Sequence, residues 1–135
     1  MNLNNIKQFM SQVHWGSLAT TDGRKVGVRP MGGWAWFDRE LWFASGKATE
    51  KVRQIKKVRY AECIFSKADG EHVRIAGPCA VSANNRDKLK LFNAVPLLKD
   101  YIDDPTDPDY VVIRMRVARL RWMKSSSMEY TEIKL

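Results

Sequence analysis

Short apolar runs separated by tight-turn residues recur along this chain. Asp22-Gly23, Asp38-Arg39-Glu40 and Asp69-Gly70 each fall between two stretches of strand-like sequence. Asp-Gly is the strongest short hairpin signal, because it tolerates the positive φ a tight turn requires. Strands joined this way pair antiparallel; parallel strands need long crossover connections between them.

Leu3, Ile6, Phe9, Met10 and Val13 recur at helical spacing, which predicts an amphipathic helix over 3–13. "GSLATT" reads as a strand, and "KVGVRPMGGWAWF" as one long, irregular strand following the first turn. "LWFAS" is a further strand. Residues 49–58 form a helix with Val52, Ile55 and Val58 inward, Thr49 at the N-cap and Glu50 in the first turn. "RYAECIFS" and "HVRIAGPCAVSA" read as strands, the second bent at Gly77-Pro78. "NRDKLKLFNAV" and "PLLKDY" are helical, "DDPTDPD" is a loop, and "YVVIRMRVARLRWM" is a long strand with Val111, Ile113, Met115 and Val117 on one face. The tail "SSSMEYTEIKL" adds a short strand or hangs loose. About six hairpin-linked strands with peripheral helices predict a mainly β (α+β) fold: an antiparallel β-barrel with helical additions.

The 135 residues fit a single domain spanning 1–135, and a 44% hydrophobic fraction suits a folded core. No apolar run approaches a membrane span, and "MNLNNIKQFM" lacks the features of a signal peptide, so the expectation is a soluble cytoplasmic protein. Cys63 and Cys79 match no metal or disulfide framework and read as buried free thiols. The net charge of +8 permits an anionic partner: nucleic acid, a membrane surface or a phosphorylated small molecule. The densest basic stretch, "KATEKVRQIKKVR", is read as the solvated face of a helix.

No P-loop, G-x-G-x-x-G or G-x-S-x-G motif occurs. His14 and His72 stand in no metal spacing, and Asp103, Asp104, Asp107 and Asp109 are interrupted by prolines in a pattern unlike a calcium loop, so no metal site is expected. Two segments carry more information. In "LWFASGKATEKV" a strand leads through a small polar loop into a helix N-terminus, where unpaired amides and the helix dipole favour a phosphate. Taken alone, Thr49 there only caps and Lys51 only solvates. One hairpin upstream lies "VRPMGG", whose proline and paired glycines mark backbone open to close approach. Together the two segments suit an aromatic ligand carrying a phosphate.

These pieces, with "GSLATTDG", "HVRIAGPCAVS" and "DPDYVVIRMRVARLRW", resemble the FMN-binding split-barrel family over nearly the whole chain. That family includes pyridoxamine 5'-phosphate oxidase and the general-stress-protein-like and nitroimidazole-resistance-like flavoproteins. The resemblance implies a six-stranded split barrel that forms a homodimer with FMN at the subunit interface. By position it implies that Arg29 contacts the flavin and that Pro30 and Met31 run beside the ring through their backbones. Ser45, Thr49 and Lys51 would grip the phosphate, while Trp122 and His72 would approach from the second subunit. It implies an FMN-dependent oxidoreductase or flavin reductase acting on a small molecule, with no catalytic residue named. A non-enzymatic flavin or haem carrier or sensor on the same barrel is the alternative, and a small nucleic-acid-binding barrel ranks well below. Three departures stand out. Trp34 replaces a lysine of the true oxidases, Glu50 replaces their phosphate-binding arginine, and Met128, Tyr130 and Glu132 replace their basic tail motif. Pyridoxamine 5'-phosphate is therefore expected to be a poor substrate.

Overall fold

The computed structural model describes residues 1–135. Nine strands form one sheet: β1 (Gly16–Thr21), β2 (Val26–Met31), β3 (Trp34–Phe37), β4 (Glu40–Gly46), β5 (Tyr60–Ser66), β6 (His72–Ser82), β7 (Tyr110–Arg116), β8 (Arg119–Met123) and β9 (Thr131–Glu132). Seven follow one path, β2-β1-β5-β6-β7-β4-β3, while β8 pairs with β6 and β9 pairs with β8. Every pairing is antiparallel. Three α-helices accompany the sheet: α1 (Leu3–Met10), α2 (Glu50–Lys57) and α3 (Asn85–Ala94), the last followed by a 3-10 turn at Pro96–Asp100. The strand count therefore exceeds the six expected.

Two of the three extra strands arise because two expected long strands are each broken, and the third is the short tail strand β9. The 25–37 segment ends one strand at Met31 and starts another at Trp34, with Gly32-Gly33 turning the chain from the β1 side of the sheet to the β4 side. The 110–123 segment breaks at Val117-Ala118 for a different reason. β6 serves both halves of the barrel: His72–Ala76 pairs with β8, and Cys79–Ser82 pairs with β7. Gly77 is the crossing point. A Cβ there would run into the Arg116 carbonyl, and the Ala118 N–H donates to Ala76 O at 2.9 Å. The chain passes from β7 to β8 over this bare backbone, as a strand glycine permits.

The barrel interior is filled by Leu18, Phe43, Phe65, Ile75, Ile113 and Leu120, all fully buried, with Ile6, Phe9 and Met10 of α1 joining the same cluster. The expected apolar face of β7 points into it. The first half of the other face is buried too, because Tyr110 and Val112 pack with Trp42, Leu91 and Leu98 beneath α3 and the 3-10 turn, while Arg116 at its far end is exposed. Arg114 holds this second layer in register: its guanidinium donates to Glu40 at 2.9 Å and to Asp87 at 3.1 Å, and lies 4.7 Å from the Trp42 ring centre. Cys63 and Cys79 are buried free thiols, and burial pushes the Cys79 thiol up to about 12. No helix is long and apolar enough to cross a membrane.

Gly77→Ala should destabilise the protein by about 1–3 kcal/mol or more, since an added methyl meets backbone that no side-chain rotation can clear. Urea unfolding checks this. A midpoint equal to that of the unmodified protein would mean the β7–β8 crossing has slack.

Candidate functional site

Proline and two glycines in "VRPMGG" pose the question of what approaches them. The chain itself supplies the answer at both glycines. A Cβ on Gly32 would meet the Trp15 ring at 2.8 Å, and one on Gly33 would meet Leu98 Cδ2 at 2.8 Å. The Gly33 carbonyl accepts the Ala44 N–H at 2.8 Å, tying β3's entry to β4. The close approach expected of a ligand ring is thus made at Gly32 and Gly33 by Trp15 and Leu98. Met31 is buried in the barrel cluster, so only its backbone is offered outward, while Pro30 is exposed.

Arg29 precedes them and faces the same side as Leu18 and Thr20, where α2 covers the end of the barrel. Its Nη1 donates to Leu18 O at 3.2 Å, Thr20 Oγ1 at 2.6 Å and Gly27 O at 3.2 Å. Thr20 in turn donates to Gln54 Oε1 on α2, both residues being buried. The remaining edge, Nη2, donates to Glu50 Oε1 at 2.8 Å. Sheet and helix therefore meet through one cation.

The β4–α2 loop completes this corner. Ser45 Oγ and Thr49 Oγ1 lie 3.1 Å apart, and both reach the Gly46 carbonyl, at 2.9 and 3.0 Å. Thr49 occupies the expected N-cap position with extended backbone. Its hydroxyl makes no capping bond, however, because it turns back to the loop. The first-turn amides of α2 are left without a side-chain acceptor, which leaves their positive dipole end available to an anion. Lys51, half-buried on that turn, makes no ion pair. Burial, and then the nearby Arg29 charge, hold its ammonium below the ordinary lysine range. Ser45, Thr49, Lys51 and Arg29 thus gather where α2 begins, with Arg53 donating to Ala48 O at 3.1 Å beside them and a single carboxylate, Glu50. An anionic group is what such a corner can hold.

The other two expected site residues lie elsewhere on the chain. β6 is three places along the sheet from β2, about 14 Å at ordinary strand spacing. There His72 bonds Tyr130 Oη through Nε2 at 2.7 Å and the Gly70 carbonyl through Nδ1 at 2.8 Å. Trp122 donates its indole N–H to Glu71 at 2.9 Å and packs half-buried against the barrel cluster. One chain does not bring His72 and Trp122 to the Arg29–Lys51 corner. An open groove of about 320 Å³ lies on the sheet face opposite to Arg29, lined by Ala19, Val28 and Ile64 together with Arg74 and Tyr130.

Two features escape sequence reasoning. The Thr20–Gln54 support was signalled only by a threonine at an inward position of "GSLATT". The basic character missing from the tail is supplied from neighbouring strands instead: Arg74 and Arg121 flank the Tyr130 ring at 5.3 and 5.5 Å and share the Glu62 carboxylate.

A curled antiparallel sheet whose halves share one long strand, with α2 closing one corner, defines a split β-barrel. The chain belongs to the family described as pyridoxamine 5'-phosphate oxidase like, whose model matches residues 2–134. Solved structures agree on the fold. A NimC/NimA family protein from Clostridium acetobutylicum is 21% identical with a TM-score of 0.85, over 99% of this chain and 92% of that one. General Stress Protein 26 from Bacillus anthracis is 19% identical with a TM-score of 0.74, over 96% and 99%. A pyridoxamine 5'-phosphate oxidase-related, FMN-binding protein from Nostoc punctiforme is 14% identical with a TM-score of 0.65, over 93% and 82%. No curated protein matches the sequence.

A half-buried ammonium beside Arg29 costs stability when no anion balances it. Lys51→Met keeps the apolar stem and removes the charge, so at neutral pH the ligand-free variant should unfold at a slightly higher temperature. Calorimetry checks this, and a lower melting temperature would mean Lys51 has a stabilising partner.

Proposed function

We propose that this chain is a flavoprotein that binds FMN as a homodimer and passes electrons to or from a small molecule. The observation that carries this reading is the anion-ready corner, where Lys51 and Arg29 stand beside the uncapped N-terminus of α2. In this reading Lys51, the α2 amides and the hydroxyls of Ser45 and Thr49 hold the FMN phosphate by charge-assisted hydrogen bonds. The β2 backbone at Pro30 and Met31 borders the ring, and His72 and Trp122 reach it from the second copy. When bound, the isoalloxazine supplies the redox chemistry, while the protein supplies orientation and electrostatics.

Family membership supports the cofactor class, and the outer sheet surface supports the dimer. Val26, Val28 and Tyr60 are 76%, 69% and 46% exposed on the same face of β2 and β5, on either side of β1, an apolar strip suited to burial against a second copy. Pyridoxamine 5'-phosphate fits poorly as substrate. Trp34, at the position of the oxidase lysine, packs edge-on against Phe65 with ring centres 5.0 Å apart, and Glu132 is paired with Arg119.

Titration with FMN and riboflavin, followed by flavin fluorescence, tests the reading. Lys51→Met should weaken FMN roughly ten- to a hundredfold, the worth of a charge-assisted bond, and leave riboflavin unchanged. Equal weakening of both would place Lys51 outside the phosphate contact. Light scattering should give a dimer for the wild type and a monomer for Val28→Glu. A wild-type monomer with FMN bound would contradict the dimer.

A further inference from the structure

Glu50 stands beside the phosphate seat with a charge of the wrong sign for an anion site, and its geometry gives it a role there. Three contacts through Nη1 fasten Arg29 to the sheet, and Glu50 Oε1 sits on its Nη2 edge at 2.8 Å. The partners are unequal: the Arg29 side chain is 18% exposed and the Glu50 side chain 61%. Glu50 makes no other side-chain bond, so it can swing into solvent while Arg29 stays in place. Gly27 leaves the room the pair needs, because a Cβ there would collide with both the Glu50 carboxylate and the Arg29 guanidinium.

We infer that Glu50 is a specificity-determining residue: its carboxylate and the ligand phosphate compete for the same N–H group of Arg29. The inference rests on the FMN reading above and deepens it. A phosphate monoester carries close to two negative charges at neutral pH, so it feels both the lost Arg29 contact and repulsion from Glu50. Riboflavin has no phosphate and feels neither. Glu50 therefore narrows the gap between phosphorylated and unphosphorylated flavins. The same carboxylate neutralises Arg29 and complements the α2 dipole from its first turn, so it stabilises the ligand-free protein.

The test compares wild type, Glu50→Gln and the charge-retaining Glu50→Asp, measuring FMN and riboflavin affinities and the melting temperature of flavin-stripped protein. Glu50→Gln should bind FMN about three- to tenfold more tightly, in keeping with loss of a partly exposed ion pair, and should leave riboflavin unchanged. Its flavin-free form should melt a few degrees lower, and Glu50→Asp should stay close to wild type in both respects. Weaker FMN binding by Glu50→Gln would overturn the inference and make Glu50 a positioning residue for Arg29. Equal changes for both flavins would also overturn it, by placing the effect in the fold. If wild type and variants all fail to bind either flavin, the FMN reading itself falls.

Discussion

Arg29 is the residue on which the functional corner depends. A mostly buried guanidinium must satisfy its donors, and here they reach two β1 groups, one β2 carbonyl and a helix carboxylate. Because Thr20 passes the network on to Gln54, the start of α2 is held over the end of the barrel by polar contacts as well as by Val52 and Ile55. That placement directs the uncapped first turn and Lys51 toward Ser45 and Thr49. Without Arg29, a loop, a strand end and a helix would still be neighbours, with only Lys51 and the α2 dipole to select what binds between them.

Much of the fold is legible in the sequence because local chemistry decides it. Asp22-Gly23 and Asp69-Gly70 put glycine at φ +93 in both turns, and the strands they join pair as expected. The α2 helix is legible for the same reason. The strand breaks are not. Gly77 yields to the Arg116 carbonyl nearly forty positions away, and Gly32 and Gly33 yield to Trp15 and Leu98, so each break depends on a tertiary neighbour that no local window contains. The two-sided burial of the first half of β7 likewise follows from α3 packing on its outer face, although the alternation of "YVVIRMR" announces only one apolar face.

The candidate site divides in the same way. Ser45, Thr49 and Lys51 belong to one contiguous loop-to-helix segment, and Arg29 lies one hairpin upstream, so their convergence can be foreseen from spacing. Which groups they engage cannot. Thr49 looks like a capping residue, yet its hydroxyl turns to Gly46, and Glu50 looks like a first-turn solvent residue, yet it takes the open edge of Arg29. His72 reads as an isolated polar residue until Tyr130, 58 positions later, is brought to its ring. The two arginines that flank Tyr130 come from β6 and β8 and have no motif of their own.

The central claim is that a phosphate is held where α2 begins. Backbone amide NMR of the ¹⁵N-labelled protein addresses it directly, by comparing chemical shifts with FMN and with riboflavin at saturation. The account predicts that the amides of Glu50, Lys51 and Val52 move with FMN and stay near their ligand-free positions with riboflavin, while residues of β2 respond to both. Identical shifts of the α2 amides with the two flavins, or an FMN-specific response confined to the Arg74–Tyr130 region, would contradict it.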